Sequence, residues 1–193
     1  MIDFKVKKWP FWFSIGTVIV FSFFISRDAL ARFAWEKHWP AVASALNGSN
    51  AELEVDLGNY YFNVSGSGAY NLKKAEKHFK RALAIDQNIP DAWHQLARID
   101  FLRGNFKGAM AKINKQIEIH GDSFMASYYI RGLVSGYAGN LSQAESDFKK
   151  FLLWDKTNWA AHNDLAWIYF KKGDYKKVEE TARAGLKWNK NNP

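Results

Sequence analysis

The chain has 193 residues, 48% of them apolar, which is enough to bury one well-packed core. It contains no cysteine, so disulfides, thiolate metal sites and cysteine nucleophiles are excluded. The net charge of +8 invites a nucleic-acid partner, but lysine is scattered in pairs such as 73–74 and 171–172. We therefore expect these lysines to lie on solvent-exposed helix faces, and we expect no nucleic-acid partner. If the basic surface binds anything, anionic lipid is a better candidate than nucleic acid.

The N-terminus predicts a membrane segment. Residues 1–8 form a basic tail, and residues 9–26, WPFWFSIGTVIVFSFFIS, carry no charge. As a helix this stretch would be roughly 27 Å long, close to the ~30 Å of a bilayer core. Trp9 and Trp12 stand where an interfacial aromatic belt is expected. The pattern predicts a transmembrane helix over residues 9–26.

Two alternatives remain for this segment, a permanent anchor and a cleaved signal. Ala29-Leu30-Ala31 resembles a small-x-small cleavage site behind a basic leader. Arg27 and Asp28 stand close before that site, and the apolar run is long for a signal core. We favour an uncleaved, single-pass N-terminal anchor.

The basic residues that set the orientation of the anchor are equal in number on its two sides. Three lysines precede the segment, and Arg27, Arg32 and Lys37 follow it. The N-terminal amine and the acids Asp28 and Glu36 tip the balance toward an N-terminus inside. The repeats described next are then expected on the extracytoplasmic side of the membrane.

Residues 27–50 predict a juxtamembrane helical segment. A helix is expected first, then a break at Pro40, a short second helix and a Gly-Ser-Asn turn at 48–50. No long flexible linker follows, so the next domain is expected close to the membrane surface.

From residue 51 onward one turn recurs at a fixed period. Its helix-capping residues are separated by 34, 35 and 34 positions: Asn71, Asn105, Asn140 and Asp174. Four residues after each cap stands a small side chain: Ala75, Ala109, Ala144 and Val178. Four further on are Phe79, Ile113, Phe148 and Ala182. The spacing keeps one apolar stripe on the second helix of each unit, which is the pattern of a helical solenoid.

These units resemble the tetratricopeptide repeat (TPR). The clearest match has the aromatic, Leu, small, Gly, aromatic and Ala positions of the consensus: Trp93, Leu96, Ala97, Gly104, Phe106 and Ala109. The resemblance covers residues 51–193 as about four repeats: 51–89, 90–123, 125–158 and 159–192. It implies an all-α, right-handed superhelical solenoid of antiparallel helix pairs, preceded here by the transmembrane helix.

The sequence departs from the repeat pattern at several positions. The connection at 63–71 makes the first unit longer than the others. Arg131 replaces the usual Leu, and we expect its aliphatic stem to cover apolar neighbours. His162 replaces a large aromatic, and Gly185 replaces the last Ala.

In the family, the first helix of each unit lines a concave groove. Carried onto this chain, the resemblance predicts these partner-binding residues: His94, Arg98, Phe101, Tyr129, Leu133, Asn163, Trp167 and Phe170. Gln95 and Tyr137 occupy groove positions by the same pattern. Together they predict an apolar trough with a cationic end at Arg98, although packing between repeats explains any single aromatic equally well. The Lys-and-Asn clamp of chaperone-tail receptors is not reproduced.

The residues indicate no catalytic chemistry. The histidines lack metal-ligand spacing, and no nucleophile or phosphate-loop motif is present. His162 and Asp164 lie two apart on one helix and are expected to face different ways.

We therefore predict no enzyme, cofactor or metal, but a membrane-anchored TPR scaffold that binds a partner protein or peptide. Two alternatives stay open: a module that self-assembles through an open C-terminal end exposing Leu186 and Trp188, or the anchoring fragment of a longer protein.

Overall fold

The computed structural model describes residues 26–63 and 70–189, and this part of the chain consists of helices and turns without a strand. The ten α-helices of these described residues are α1 Arg27–Glu36, α2 Pro40–Leu46, α3 Ala51–Phe62, α4 Leu72–Ile85, α5 Ala92–Leu102, α6 Phe106–His120, α7 Ala126–Tyr137, α8 Leu141–Trp154, α9 Trp159–Lys172 and α10 Tyr175–Leu186. A short 3₁₀ helix, Gly121–Phe124, joins α6 to α7.

The helices from α3 onward pack as four successive pairs: α3 with α4, α5 with α6, α7 with α8, and α9 with α10. The second helix of each pair also packs against the first helix of the next, and α7 touches both α5 and α9. Among the described helices, each unit therefore packs mainly against its neighbours along the chain, as in a solenoid. The all-α solenoid predicted from the repeat is confirmed.

The recurring turn has the predicted geometry. The side-chain oxygens of Asn71, Asn105, Asn140 and Asp174 each accept a hydrogen bond from the backbone N–H three residues later, at 3.0–3.2 Å. Just before three of these caps the backbone enters the left-handed region, with φ of 74° at Gly104, 86° at Gly139 and 77° at Gly173. Glycine ends one helix and the polar cap starts the next, so the period of the sequence is the period of the fold.

In two units, a glycine on the first helix faces a phenylalanine on the second, and the ring fills the interior between the helices. In the first unit, a Cβ added to Gly58 would lie 2.5 Å from the ring of Phe79. In the third unit, a Cβ at Gly132 would lie 2.9 Å from the ring of Phe148. Both phenylalanines are fully buried, so the missing side chain lets the paired helices approach until the ring fills the space between them.

Arg131 is held by an ion pair, which corrects the expectation that its stem acts as a leucine substitute. Its Nε and one terminal nitrogen donate to the two carboxylate oxygens of Asp147 at 2.8 and 2.7 Å. Asp147 is buried on α8, and the guanidinium also lies over the Tyr128 ring, 5.3 Å from its centroid. A two-point charged contact thus replaces an apolar one inside the third unit.

The N-terminal pair α1 and α2 packs on the first unit. Ala31, Ala34 and Ala43 form one apolar cluster with Leu53 and Leu57 of α3. As expected from the sequence, Pro40 separates the two helices and begins the second.

A buried carboxylate adds a polar link at the same place. Glu54 accepts a hydrogen bond from the Asn47 side chain at 2.8 Å, and its carboxylate lies 2.7 Å from His78 and 3.1 Å from Arg81. The turn that follows α2 is thereby tied to both helices of the first unit.

The predicted transmembrane segment, residues 9–26, lies outside the described residues except for Ser26. The Ser26 hydroxyl accepts a hydrogen bond from the Ala29 N–H and caps α1. Within residues 26–63 and 70–189, every helix is too short or too polar to cross a bilayer.

Candidate partner-binding groove

A pocket of about 440 Å³ opens between α7, α9 and α10. It brings together four of the residues predicted from the sequence: Leu133, Asn163, Trp167 and Phe170. The other residues that line it are Tyr137, Phe148, Asp164, Ala166, Val178 and Ala182. We call this space the C-terminal pocket.

Aromatic rings continue from the pocket toward the second unit. Trp167 stacks on Tyr137 with ring centroids 5.3 Å apart, and Phe101 meets the same tyrosine edge-on at 5.3 Å. Phe170 closes the other side and lies edge-on to Tyr175, yet it is 57% exposed. Since each ring is held by a neighbour, the row is ordered while part of its surface remains open. This row and the C-terminal pocket together are called the groove below.

Asp164 supplies a carboxylate to the pocket. The Tyr129 hydroxyl donates a hydrogen bond to one carboxylate oxygen at 2.6 Å. Burial raises the pKa of Asp164 above its ordinary value, and the bond from Tyr129 offsets this only in part. Burial, followed by the contact with Asp164, raises the pKa of Tyr129 as well.

The role of Asp164 could not be predicted from the sequence, in which it only stands two residues after His162. As expected, the two side chains face different ways: His162 Nε2 lies 3.0 Å from the Lys156 carbonyl oxygen, outside the pocket. The partner of Asp164 stands 35 residues earlier in the chain. A local pattern carries no signal for such a pair.

The pocket exists because one side chain is small. Ala182 occupies the position that Phe79, Ile113 and Phe148 hold in the other units. It faces the pocket together with Ala166, whereas the equivalent space is filled by a phenylalanine ring in the first and third units. Ala182 is the smallest member of its series, so the sequence itself carries a signal for the pocket.

His94 and Arg98 lie away from the pocket. His94 is 6% exposed, meets the Phe124 ring edge-on at 5.2 Å and lies 3.4 Å from the Ser127 hydroxyl. Burial lowers its pKa to about 4, so the imidazole is neutral near pH 7. His94 is thus an interior residue of the junction between the second and third units.

Arg98 lies on the side of the first unit. Its guanidinium is 4.5 Å from the centroid of the Phe62 ring and donates to the Gln95 side chain at 2.7 Å. Arg98 and the apolar groove residues therefore do not form the single trough that the sequence predicted. The apolar part gathers around α7 and α9, and the arginine packs against α3.

One part of the chain matches a family model. Residues 137–193 match the model of the tetratricopeptide repeat, a range that covers the end of α7, all of α8 and the last unit. No curated protein is similar enough in sequence to count as a match.

Solved structures share the fold of nearly the whole chain. A crystal structure of MamA aligns with a TM-score of 0.67 at 17% identity, covering 83% of this chain and 94% of that one. MamA from Desulfovibrio magneticus RS-1 gives 0.67 at 16%, covering 85% and 93%. YrrB, described as a TPR protein with an unusual peptide-binding site, gives 0.68 at 17%, covering 86% of each chain. The protein therefore has the fold of tetratricopeptide repeat proteins, and its residues 137–193 match the repeat family itself.

Proposed function

We propose that this protein is a scaffold that binds a partner protein or peptide in the groove. The observation that carries the proposal is the C-terminal pocket of about 440 Å³, walled by Trp167 and Phe170 on α9. Ordered, partly exposed aromatic side chains are the usual anchors of protein interfaces. The peptide-binding site described for YrrB adds support from a protein of the same fold, although fold alone does not determine function.

The scaffold is held at a membrane by residues 9–26, with the repeats on the extracytoplasmic side. This part of the proposal is supported by the sequence, in which these 18 residues lack any charge and carry Trp9 and Trp12 at one end. Carbonate extraction of isolated membranes tests the anchor, because a spanning protein stays in the pellet. Complete release into the supernatant would contradict it, and protease treatment of intact cells would report the side.

Affinity capture from a detergent-solubilised membrane extract tests the groove. The full chain serves as bait beside Phe170→Glu, which is preferable to a change at Trp167 because Phe170 is 57% exposed, whereas Trp167 is half-buried against Tyr137. Leu153→Glu is the matched control, since Leu153 is 77% exposed on α8 and does not line the pocket. We expect a partner retained by the wild type and by Leu153→Glu but lost from Phe170→Glu. Equal recovery with all three baits would contradict binding in the groove.

Self-assembly through the C-terminal end is the second candidate. Leu186 is 61% exposed and Trp188 is 53% exposed at the end of α10, so both are open to contact with another molecule. If this surface joins copies, light scattering will show a concentration-dependent increase in mass that Leu186→Glu abolishes. A constant monomer mass for the wild type would exclude this candidate.

A further inference from the structure

Among the residues that the structure describes, the carboxylate of Asp164 differs from its acidic neighbours in lacking a cationic partner. Asp147 is paired with Arg131, Glu145 with Lys149 and Lys172, and Asp174 with Lys177. Within residues 26–63 and 70–189, no basic side chain forms an ion pair with Asp164. Its one hydrogen bond to a described residue comes from the neutral hydroxyl of Tyr129. A half-buried carboxylate placed in this way retains capacity to accept charged donors.

The walls around Asp164 suit a side chain with an apolar stem and a cationic tip. Leu133, Val178 and Ala182 offer aliphatic contact, while Trp167 and Phe170 offer aromatic rings. Cations are attracted to aromatic faces within about 6 Å of the ring centroid, most strongly where water is displaced. Lys171 already places its Nζ 6.0 Å from the Trp167 centroid, so this ring has a cation at the edge of that range.

We infer that the C-terminal pocket receives an arginine or lysine side chain of the bound segment, with Asp164 as its counter-ion. The inference rests on the proposed function and specifies the chemistry of its partner. A purely apolar side chain would cover Asp164 and leave its charge unpaired, which is costly. An acidic side chain would bring like charges together. A basic side chain satisfies the carboxylate and the aromatic faces at once.

A peptide selection tests the assignment. The full chain in detergent is exposed to a library of random twelve-residue peptides, and the selected peptides are measured by fluorescence anisotropy. We expect them to share an arginine or lysine whose replacement by citrulline or norleucine weakens binding about tenfold or more, the loss typical of a broken buried ion pair. Asp164→Asn keeps the shape and can still accept from the Tyr129 hydroxyl, but it should remove this discrimination. Glu118→Gln, which removes one negative charge from an exposed position on α6, is the matched control and should retain it.

The outcomes separate this inference from the proposed function. Peptides that depend on Phe170 but show no basic preference would overturn the basic-side-chain assignment and leave the groove scaffold standing. An equal preference for basic peptides in wild type and Asp164→Asn would also overturn it. If no selected peptide depends on Phe170, both proposals fail together. Circular dichroism of each variant confirms that a loss of binding is not a loss of fold.

Discussion

The third and fourth units share the same backbone plan but differ in their interiors. Both consist of two antiparallel helices joined by a Gly-containing turn and a polar cap. In the third unit, Phe148 fills the space beside Gly132, so the two helices are closed on each other. In the fourth, Ala166 and Ala182 leave the C-terminal pocket, which forms part of the groove. A repeat array can therefore create a binding site by omitting one large side chain from a unit that otherwise follows the plan.

The exposure of the side chain at one equivalent position increases in the same direction, from the second unit to the fourth. His94, Tyr129 and Asn163 stand 35 and 34 residues apart, at the same place on the first helix of three successive units. The first is buried, the second is half-buried and the third is exposed. The surface available to a partner thus increases toward the C-terminal pocket.

The largest predicted change in the free energy of unfolding comes from removing the phenylalanine ring that fills the first unit. Phe79→Ala would empty the space between Gly58 and α4, where the ring is fully buried, and should reduce the free energy of unfolding by about 3–5 kcal/mol. Phe170→Ala is the matched control. It removes an exposed ring from the open unit and should cost less than about 1 kcal/mol. Urea unfolding followed by circular dichroism measures both. Equal costs would contradict the distinction between closed and open units.

Because His94 is buried at the junction between the second and third units, the free energy of unfolding should decrease at acidic pH. The pKa of His94 is about 4 in the folded chain, below its ordinary value of 6.5, because burial disfavours the charged ring. The unfolded chain therefore takes up a proton first, and stability should fall as the pH drops from about 6.5 to about 4. The loss should be on the order of 3 kcal/mol.

Variants at two histidines test this assignment. Urea unfolding at pH 7 and at pH 4.5 should show a smaller pH difference for His94→Gln than for the wild type. His38→Asn, at an exposed histidine after α1, should behave like the wild type. If the two variants lose stability in parallel with the wild type, His94 is not the responsible group.

The smallest predicted change in stability is a gain from closing the open unit. Ala182→Ile copies the pair Ala97 and Ile113 of the second unit, and filling the space should raise the free energy of unfolding by about 0.5–2 kcal/mol. Binding in the C-terminal pocket should weaken at the same time, because the side chain occupies the pocket. Ala111→Ile on the exposed face of α6 is the control and should change neither quantity appreciably. A destabilised Ala182→Ile protein would show that α9 and α10 leave no usable space between them.

Most of the fold could be predicted from the sequence because its signals are local. A cap bonds to the backbone three residues later, and a left-handed glycine acts within its own turn, so each is readable in a short window. Repetition at a 34- or 35-residue spacing then made the prediction specific. The groove could be predicted in part for the same reason, since the positions of Trp167 and Phe170 follow from the register of the repeat.

The remaining features depend on contacts between distant residues. Arg131 was expected to act through its stem, but its ion pair with Asp147 needs two helices to be placed side by side. His94 was expected in the groove, but Phe124 of the 3₁₀ helix and Ser127 of the next unit approach it and bury it. Such contacts are set by the packing of whole units and not by the order of neighbouring residues.

By itself, then, the sequence determined the repeat length, the recurring capped turn and the side of each helix that faces the core. Those features arise from capping bonds and apolar periodicity, which act over a few residues. Only the tertiary structure decided that Ala182 leaves a pocket and that Asp164 in its wall pairs with Tyr129 and with no described basic residue. Whether a position is filled, open or charged depends on the neighbours that the packed helices bring to it.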